Sequence, residues 1–254
     1  MSDFEASISM LSNTNLLIYV GKGILFTVII AVIAVIISIL LGAVLAVLRN
    51  YCNKGPQKIL KFLATFYIEM FRNTPLMLWI FVSVVFFPAP ELFNHKLFGL
   101  TTVETKLLWK AAMALILFES SIIAEIIRGG LNSVLKGQFE AAHSQGFNVV
   151  QTFVYIILPQ AFKNVIPTLL SQVISTIKDS SYLANVAVIE LMARVKQVLS
   201  AAGQYNGTGN IHASDVFVLF GLAMLIYFVI NFALSSVVRS INAKRKKPVR
   251  IAQS

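Results

Sequence analysis

Apolar residues gather into five stretches that can be weighed as membrane spans. Ile24 to Leu48 is 25 residues long and carries no charge. As a helix rising about 1.5 Å per residue it crosses a hydrocarbon core of roughly 30 Å with length to spare. Phe62 to Phe87 is a second candidate, interrupted by Glu69, Arg72 and Pro75. Leu107 to Ile127 is a third, with Lys110 near one end and Glu119 and Glu125 further in. Val216 to Val238 closes the series, with Asn231 as its most polar residue. Between the last two, Ala161 to Ile177 is weaker, because Lys163 and Pro167 shorten its apolar run. Hydropathy alone leaves this fourth span undecided.

Charge decides it. Arg49 to Lys61 holds four basic residues and no acid, Arg128 to Lys163 nets +2, and Arg239 to Ser254 holds six basic residues. The N-terminal 23 residues net −1, and both Pro88 to Lys106 and Lys178 to Asp215 net zero. Basic loops stay on the cytoplasmic side, which puts the N-terminus outside and the C-terminus inside. That arrangement needs an odd number of spans, so the weak fourth stretch must cross. The expected fold is an all-α membrane protein with five transmembrane helices in a single domain over residues 1–254. Residues 1–23 are then an extracytoplasmic tail, and 239–254 a basic cytoplasmic tail.

Composition agrees. The chain is 57% hydrophobic and 13% charged, with a mean hydropathy of +0.79, which fits a polytopic membrane protein and not a soluble core. Asp3 and Glu5 replace the basic start of a signal peptide, and the first apolar run is longer than a signal peptide uses, so the N-terminus is expected to stay in the mature protein. A single cysteine, Cys52, excludes an internal disulfide and a Cys-rich metal site. His95, His143 and His212 are scattered over three loops, so no metal is expected, and no Walker-type phosphate loop is present. The net charge of +10 belongs to orientation in the membrane. The tail AKRKKPVR reads as a headgroup-facing anchor, and no nucleic-acid partner is expected.

The segment EAAHSQGFNVVQTFVYIILPQAF, Glu140 to Phe162, lies in the loop between the third and fourth spans. Glu140, Ala141, Ala142 and Gln145 suit a helix, and the small alanines permit close approach to another protein. Gly146 can turn the chain, and Pro159 can restart a helix at its first turn. A lateral helix, a turn and a re-entry make a coupling element, here residues 136–151.

The full spacing is EAA, three residues, Gly146, nine residues, Ile156, one residue, then Leu158 and Pro159. It resembles the cytoplasmic signature of the membrane subunits of ATP-binding-cassette importers. FRNTPL at Phe71 to Leu76, AEIIRGGLNSVLKGQFEAA at Ala124 to Ala142, ILPQAFKNVIP at Ile157 to Pro167, KDSSYL from Lys178 and VIEL ending at Leu191 resemble the polar amino acid uptake subgroup. Trp79 stands where many relatives have Gln, Ser180 where Thr is usual, and Tyr182 where Leu is usual. The resemblance implies that Glu140, Ala141, Ala142, Gly146, Leu158 and Pro159 couple the chain to a separate ATPase. It implies a cytoplasmic ATPase dimer that binds ATP and Mg, a second permease copy or paralogue, and an extracytoplasmic binding protein delivering a polar amino acid. The chain itself is expected to hold no cofactor and to catalyse no reaction, and to sit in the plasma membrane of a prokaryote.

Ionisable residues inside a span are functional candidates by default. Glu69 and Arg72, and likewise Glu125 and Arg128, are spaced i, i+3 and read as structural pairs on one helix face. Pro75 breaks or kinks the second helix, which a wet or protein-covered site tolerates. Gln172, Ser175 and Asp179 recur at i, i+3 and i+7, with Lys178 beside them. Asp179 and Lys178 suit the ammonium and carboxylate of a zwitterion; alternatively they mark the outer water boundary, with Ser175 bonding back into its helix. Glu119, Ser120 and Ser121 are candidates to complete the cavity. The competing functions are a secondary amino acid transporter driven by an ion gradient, which accounts for carboxylates within spans, and a membrane scaffold. Against the former, no repeated half is visible. The conformation of residues 182–199 is open from sequence.

Overall fold

The computed structural model describes residues 2–96 and 99–245. Residues 246–254, most of the basic tail, lie outside the described residues. The described chain contains eleven α-helices and no strand. They are α1 (Asp3–Ser9), α2 (Thr14–Tyr51), α3 (Gln57–Arg72), α4 (Leu76–Phe86), α5 (Thr102–Asn132), α6 (Lys136–Ser144), the single turn α7 (Val149–Gln151), α8 (Leu158–Asp179), α9 (Leu191–Ser200), α10 (Ala202–Tyr205) and α11 (Ala213–Arg245). Four helices are long and apolar enough to cross a membrane, in α2, α5, the stretch through α8, and α11. The pair α3 and α4 passes only as a broken span, bent by 110°.

The bilayer removes the hydrophobic drive between helices, so close packing of small residues holds them together. On α2, Ala31, Ala34, Ser38, Gly42 and Ala46 form such a buried stripe at helical spacing. A Cβ on Gly42 would lie 2.9 Å from the Ser120 carbonyl oxygen of α5, and the Ser38 hydroxyl donates to the Ile116 carbonyl at 2.9 Å. Gly130 repeats the device between α5 and α8: its Cβ would sit 2.0 Å from Val165 Cγ1. Helix α5 is thereby the centre of the bundle, touching α2, α3, α4 and α8.

The break expected at Pro75 is present, and its loosened polar groups are satisfied. The Thr74 hydroxyl donates to the Met70 carbonyl and accepts the Trp79 indole N–H, each at 2.6 Å. Trp79 also packs on Phe71, ring centroids 4.3 Å apart. Pro159 stands in the first turn of α8, as read, but the chain does not break before it: Thr152–Ile157 is a π-helical segment, Leu158 N–H bonding back to the Phe153 carbonyl. The wider π turn accommodates a ring that cannot donate at Pro159. Glu69 bonds to Arg49 of α2 at 2.6 Å, not to Arg72 on its own helix. Residues 3–23 are no loose tail. Helix α1 packs on α11, where the Ser7 hydroxyl donates to Asp215 at 2.6 Å, and α2 begins at Thr14.

Residues 182–199 resolve into a 3₁₀ turn and α9, whose Leu191, Ala193, Arg194, Val195 and Val198 are buried. Helix α9 wedges between α2 and α11. A Cβ on Gly23 would lie 2.8 Å from Leu191 Cα, so only glycine lets the two backbones meet there.

Candidate coupling helix and substrate pathway

The motif around Glu140 forms a short exposed helix with a well-made end. At the C-terminus of α6, Phe147 N–H bonds to the Ala142 carbonyl and Gly146 N–H to the His143 carbonyl. Gly146 adopts φ +82. This is the Schellman arrangement, in which a left-handed residue closes the helix and satisfies its last carbonyls. Glycine is favoured there because a Cβ costs about 1 kcal/mol or more in that region. No atom stands within 4 Å of where a Gly146 Cβ would be, so the turn projects into open space.

The helix is fixed from beneath. Phe139 packs on a cluster with Leu131, Val134, Ile157 and Ala161. Gln160 of α8 donates to Gln138 at 3.1 Å, and Asn164 donates to Ser133 at 2.8 Å. Ala142 is buried within this support, while Glu140 and Ala141 face outward. Of the two alanines read as contact residues, then, one serves the chain's own packing. Leu158 is half-buried and Pro159 exposed on the helix that carries the support.

The second group lies where α8 crosses α5. Glu119 is completely buried, and Gln172 donates its amide to Glu119 Oε2 at 2.8 Å, leaving Oε1 without a hydrogen-bond partner. Asp179, seven residues on from Gln172, lies two turns along the same face of α8. Ser175 makes no side-chain hydrogen bond; the back-bond into the helix comes from Thr176, to the Gln172 carbonyl at 3.0 Å. Lys178 faces the other way, into a groove beside Tyr227, Asn231 and Arg239 of α11. Lys178 and Asp179, read as suiting the two ends of a zwitterion, thus stand toward different helices. Successive residues on a helix point about 100° apart, so they cannot share a face. Ser120 and Ser121 are buried but turn inward to their own helix: they donate to the Leu117 and Phe118 carbonyls at 2.8 and 2.6 Å. Ser120 also meets the Tyr67 hydroxyl at 2.9 Å.

Two polar centres escaped sequence reasoning. Arg49, counted there only as a cytoplasmic charge, joins three helices: it pairs with Glu69 at 2.6 Å and with Glu125 at 3.0 Å. Arg128 completes the cluster on Glu125 at 2.7 Å, as its i, i+3 spacing predicted. At the other end of α2, buried Glu190 caps α9 by accepting Ala193 N–H at 2.7 Å, and it accepts the Tyr227 hydroxyl at 3.1 Å. Arg194 lies over the Tyr19 ring at 4.3 Å. An acid just before a helical run was the available signal for Glu190; nothing in the sequence paired Arg49 with Glu69. No cluster of metal-ligating residues exists among the described residues.

Four helices long and apolar enough to cross a bilayer, packed through small residues, define a multi-pass membrane protein. The chain belongs to the family described as binding-protein-dependent transport system inner membrane component, whose profile matches residues 38–247. It is 36% identical over 231 residues to the probable glutamine ABC transporter permease protein GlnP of Bacillus subtilis (strain 168), covering 90% of this chain and 94% of that protein. The arginine transport system permease protein ArtQ of the same organism is 29% identical over 244 residues, 96% of this chain and 97% of that protein. Among solved structures, an amino acid ABC transporter crystallised with histidines superposes with a TM-score of 0.74 at 26% identity, covering 93% of this chain and 97% of that one. The MetNI methionine ABC transporter in an inward-facing form shares the fold, with a TM-score of 0.67 at 16% identity over 90% of this chain and 99% of that one.

Proposed function

We propose that the chain is the permease subunit of an ATP-binding-cassette importer for polar amino acids of the glutamine, glutamate, histidine or arginine type. Family membership and relatives named for glutamine and arginine transport support this reading. The spans are α2, the broken pair α3 and α4, α5, α8 and α11, in the plasma membrane of a prokaryote. The N-terminus is outside and the C-terminus inside, in accord with the basic loops. A second copy or a paralogue completes the pathway, and an extracytoplasmic binding protein delivers the substrate. A cytoplasmic ATPase dimer holds the ATP and Mg, and this chain hydrolyses nothing.

The observation that carries the coupling role is α6 itself, an exposed polar helix fixed to the root of α8 by Phe139 and by the Gln160 to Gln138 hydrogen bond. A helix braced in this way transmits a push from a docked subunit into a span instead of absorbing it. At the other end of that lever, Glu119, Gln172 and Asp179 offer acceptors for the substrate ammonium where α8 slides on α5. The test is a mild-detergent pull-down of the tagged chain from its own cells. Wild type is expected to bring down a cassette ATPase and Gly146→Asp to lose it; absence of any ATPase from wild type in several detergents overturns the reading. Amino acid uptake that survives vanadate would instead favour transport driven by an ion gradient.

A further inference from the structure

We propose that the cleft along the first turns of α3 binds the headgroup of an anionic phospholipid, a reading that rests on the topology proposed above. The helix has three faces. Ala64, Ile68 and Phe71 are buried, the first two against Leu45 and Ala124. Ile59, Phe62, Leu63 and Phe66 are all more than half exposed, and the rings of Phe62 and Phe66 stack at 6.5 Å. Lys58, Lys61 and Thr65 stand on the first turns of the third face, whose later members Glu69 and Arg72 are engaged by Arg49 and Glu125. At the cytoplasmic end of a span the lysine stems reach the headgroup layer while the aromatic face beside them meets acyl chains.

The cleft itself, about 360 Å³, is lined by Asn53, Lys58, Lys61, Phe62 and Thr65. Lys61 donates to Asn53 Oδ1 at 2.6 Å, and the side chains of Lys54 and Lys58 have no hydrogen-bond or ion-pair partner among the described residues. The sequence contains no acid between Arg49 and Ile68, so the positive charge is not neutralised locally. A phosphate places its charge among these lysines, and Thr65 and Asn53 add hydrogen-bonding groups. The exposed Phe62 and Phe66 beside it give acyl chains a surface. A free phosphate ion would use only the first half of this site; a phospholipid uses both.

The whole chain, purified in neutral detergent, is titrated with phosphatidylglycerol and phosphatidylcholine, and bound lipid is counted by native mass spectrometry. Phosphatidylglycerol is expected to bind preferentially, and Lys58→Ala with Lys61→Ala to weaken it by about tenfold. Lys22→Ala, which removes one charge from α2 as Lys58→Gln removes one from α3, should leave it unchanged. Lys58→Gln alone, which spares the bond to Asn53, should weaken binding by a smaller factor. Phe62→Ser should weaken the lipid but not the weak competition by inorganic phosphate. Equal weakening by Lys22→Ala, or no preference for phosphatidylglycerol, overturns the site. Displacement of the lipid by phosphate at equal concentration overturns the choice of occupant. None of these measurements depends on transport or on an ATPase.

Discussion

Gln172 of α8 donates its side-chain amide to Glu119 of α5 across 2.8 Å, a polar bond between two helices at a point where Glu119 has no exposure to solvent. The other oxygen of Glu119 has no hydrogen-bond partner. A buried acceptor left open in this way is costly, and under the proposed function a substrate ammonium would fill it.

Removing the charge at either carboxyl should therefore reduce uptake without dismantling the subunit. Asp179→Asn and Glu119→Gln preserve shape, and each is expected to lower the uptake rate by about tenfold, equivalent to ~1.4 kcal/mol. Co-purification with the ATPase should be unchanged. Unaltered uptake in both variants would remove the pair from the pathway.

At Gly146 the φ of +82 is the constraint, since a side chain there would meet nothing. Thermal melting in detergent should rank Gly146 above Gly146→Asn, and that above Gly146→Ala and Gly146→Val. The Ala variant should lose about 1 kcal/mol, because Asn tolerates the left-handed region better than Ala. A melt indifferent to all three would mean that the turn opens at no cost.

Gly130 is a packing glycine instead. Its substituent would overlap Val165, Cβ to Cγ1 at 2.0 Å, so Gly130→Ala should cost about 1–3 kcal/mol by overpacking. Adding Val165→Ala should restore much of the loss, measured by melting temperature. Two independent, additive losses would show that the helices part instead of clashing.

Arg49 pairs with Glu69 and Glu125, and is itself only 19% exposed in its side chain. Arg49→Ala takes the cation from half-exposed Glu69 while Glu125 keeps Arg128 and Arg72, and should cost about 1 kcal/mol. In a double-mutant cycle, Glu125→Gln should recover part of that cost, giving less than the sum of the two single changes. Strict additivity would count against a shared cluster.

Much of the molecule follows from sequence because the bilayer restricts backbone to a few solutions. A charge-free run such as Ile24–Leu48 must be a helix, and Arg49, Lys54, Lys58 and Lys61 carry the orientation signal. Pro75 lacks a donor and has a fixed φ, so the break between α3 and α4 was legible. Gly146 was legible too, since a turn closing a helix selects glycine. What tertiary structure alone decided is partnership. The i, i+3 spacing of Glu69 and Arg72 permitted a pair, but Arg49 arrives from α2 and takes Glu69 at shorter range. Lys178 and Asp179 are neighbours in sequence yet face different helices, and Glu119 meets Gln172 only because Gly130 lets α8 lie close on α5. Periodicity specifies which side of a helix a residue occupies; which helix stands on that side depends on how the small residues let the bundle close.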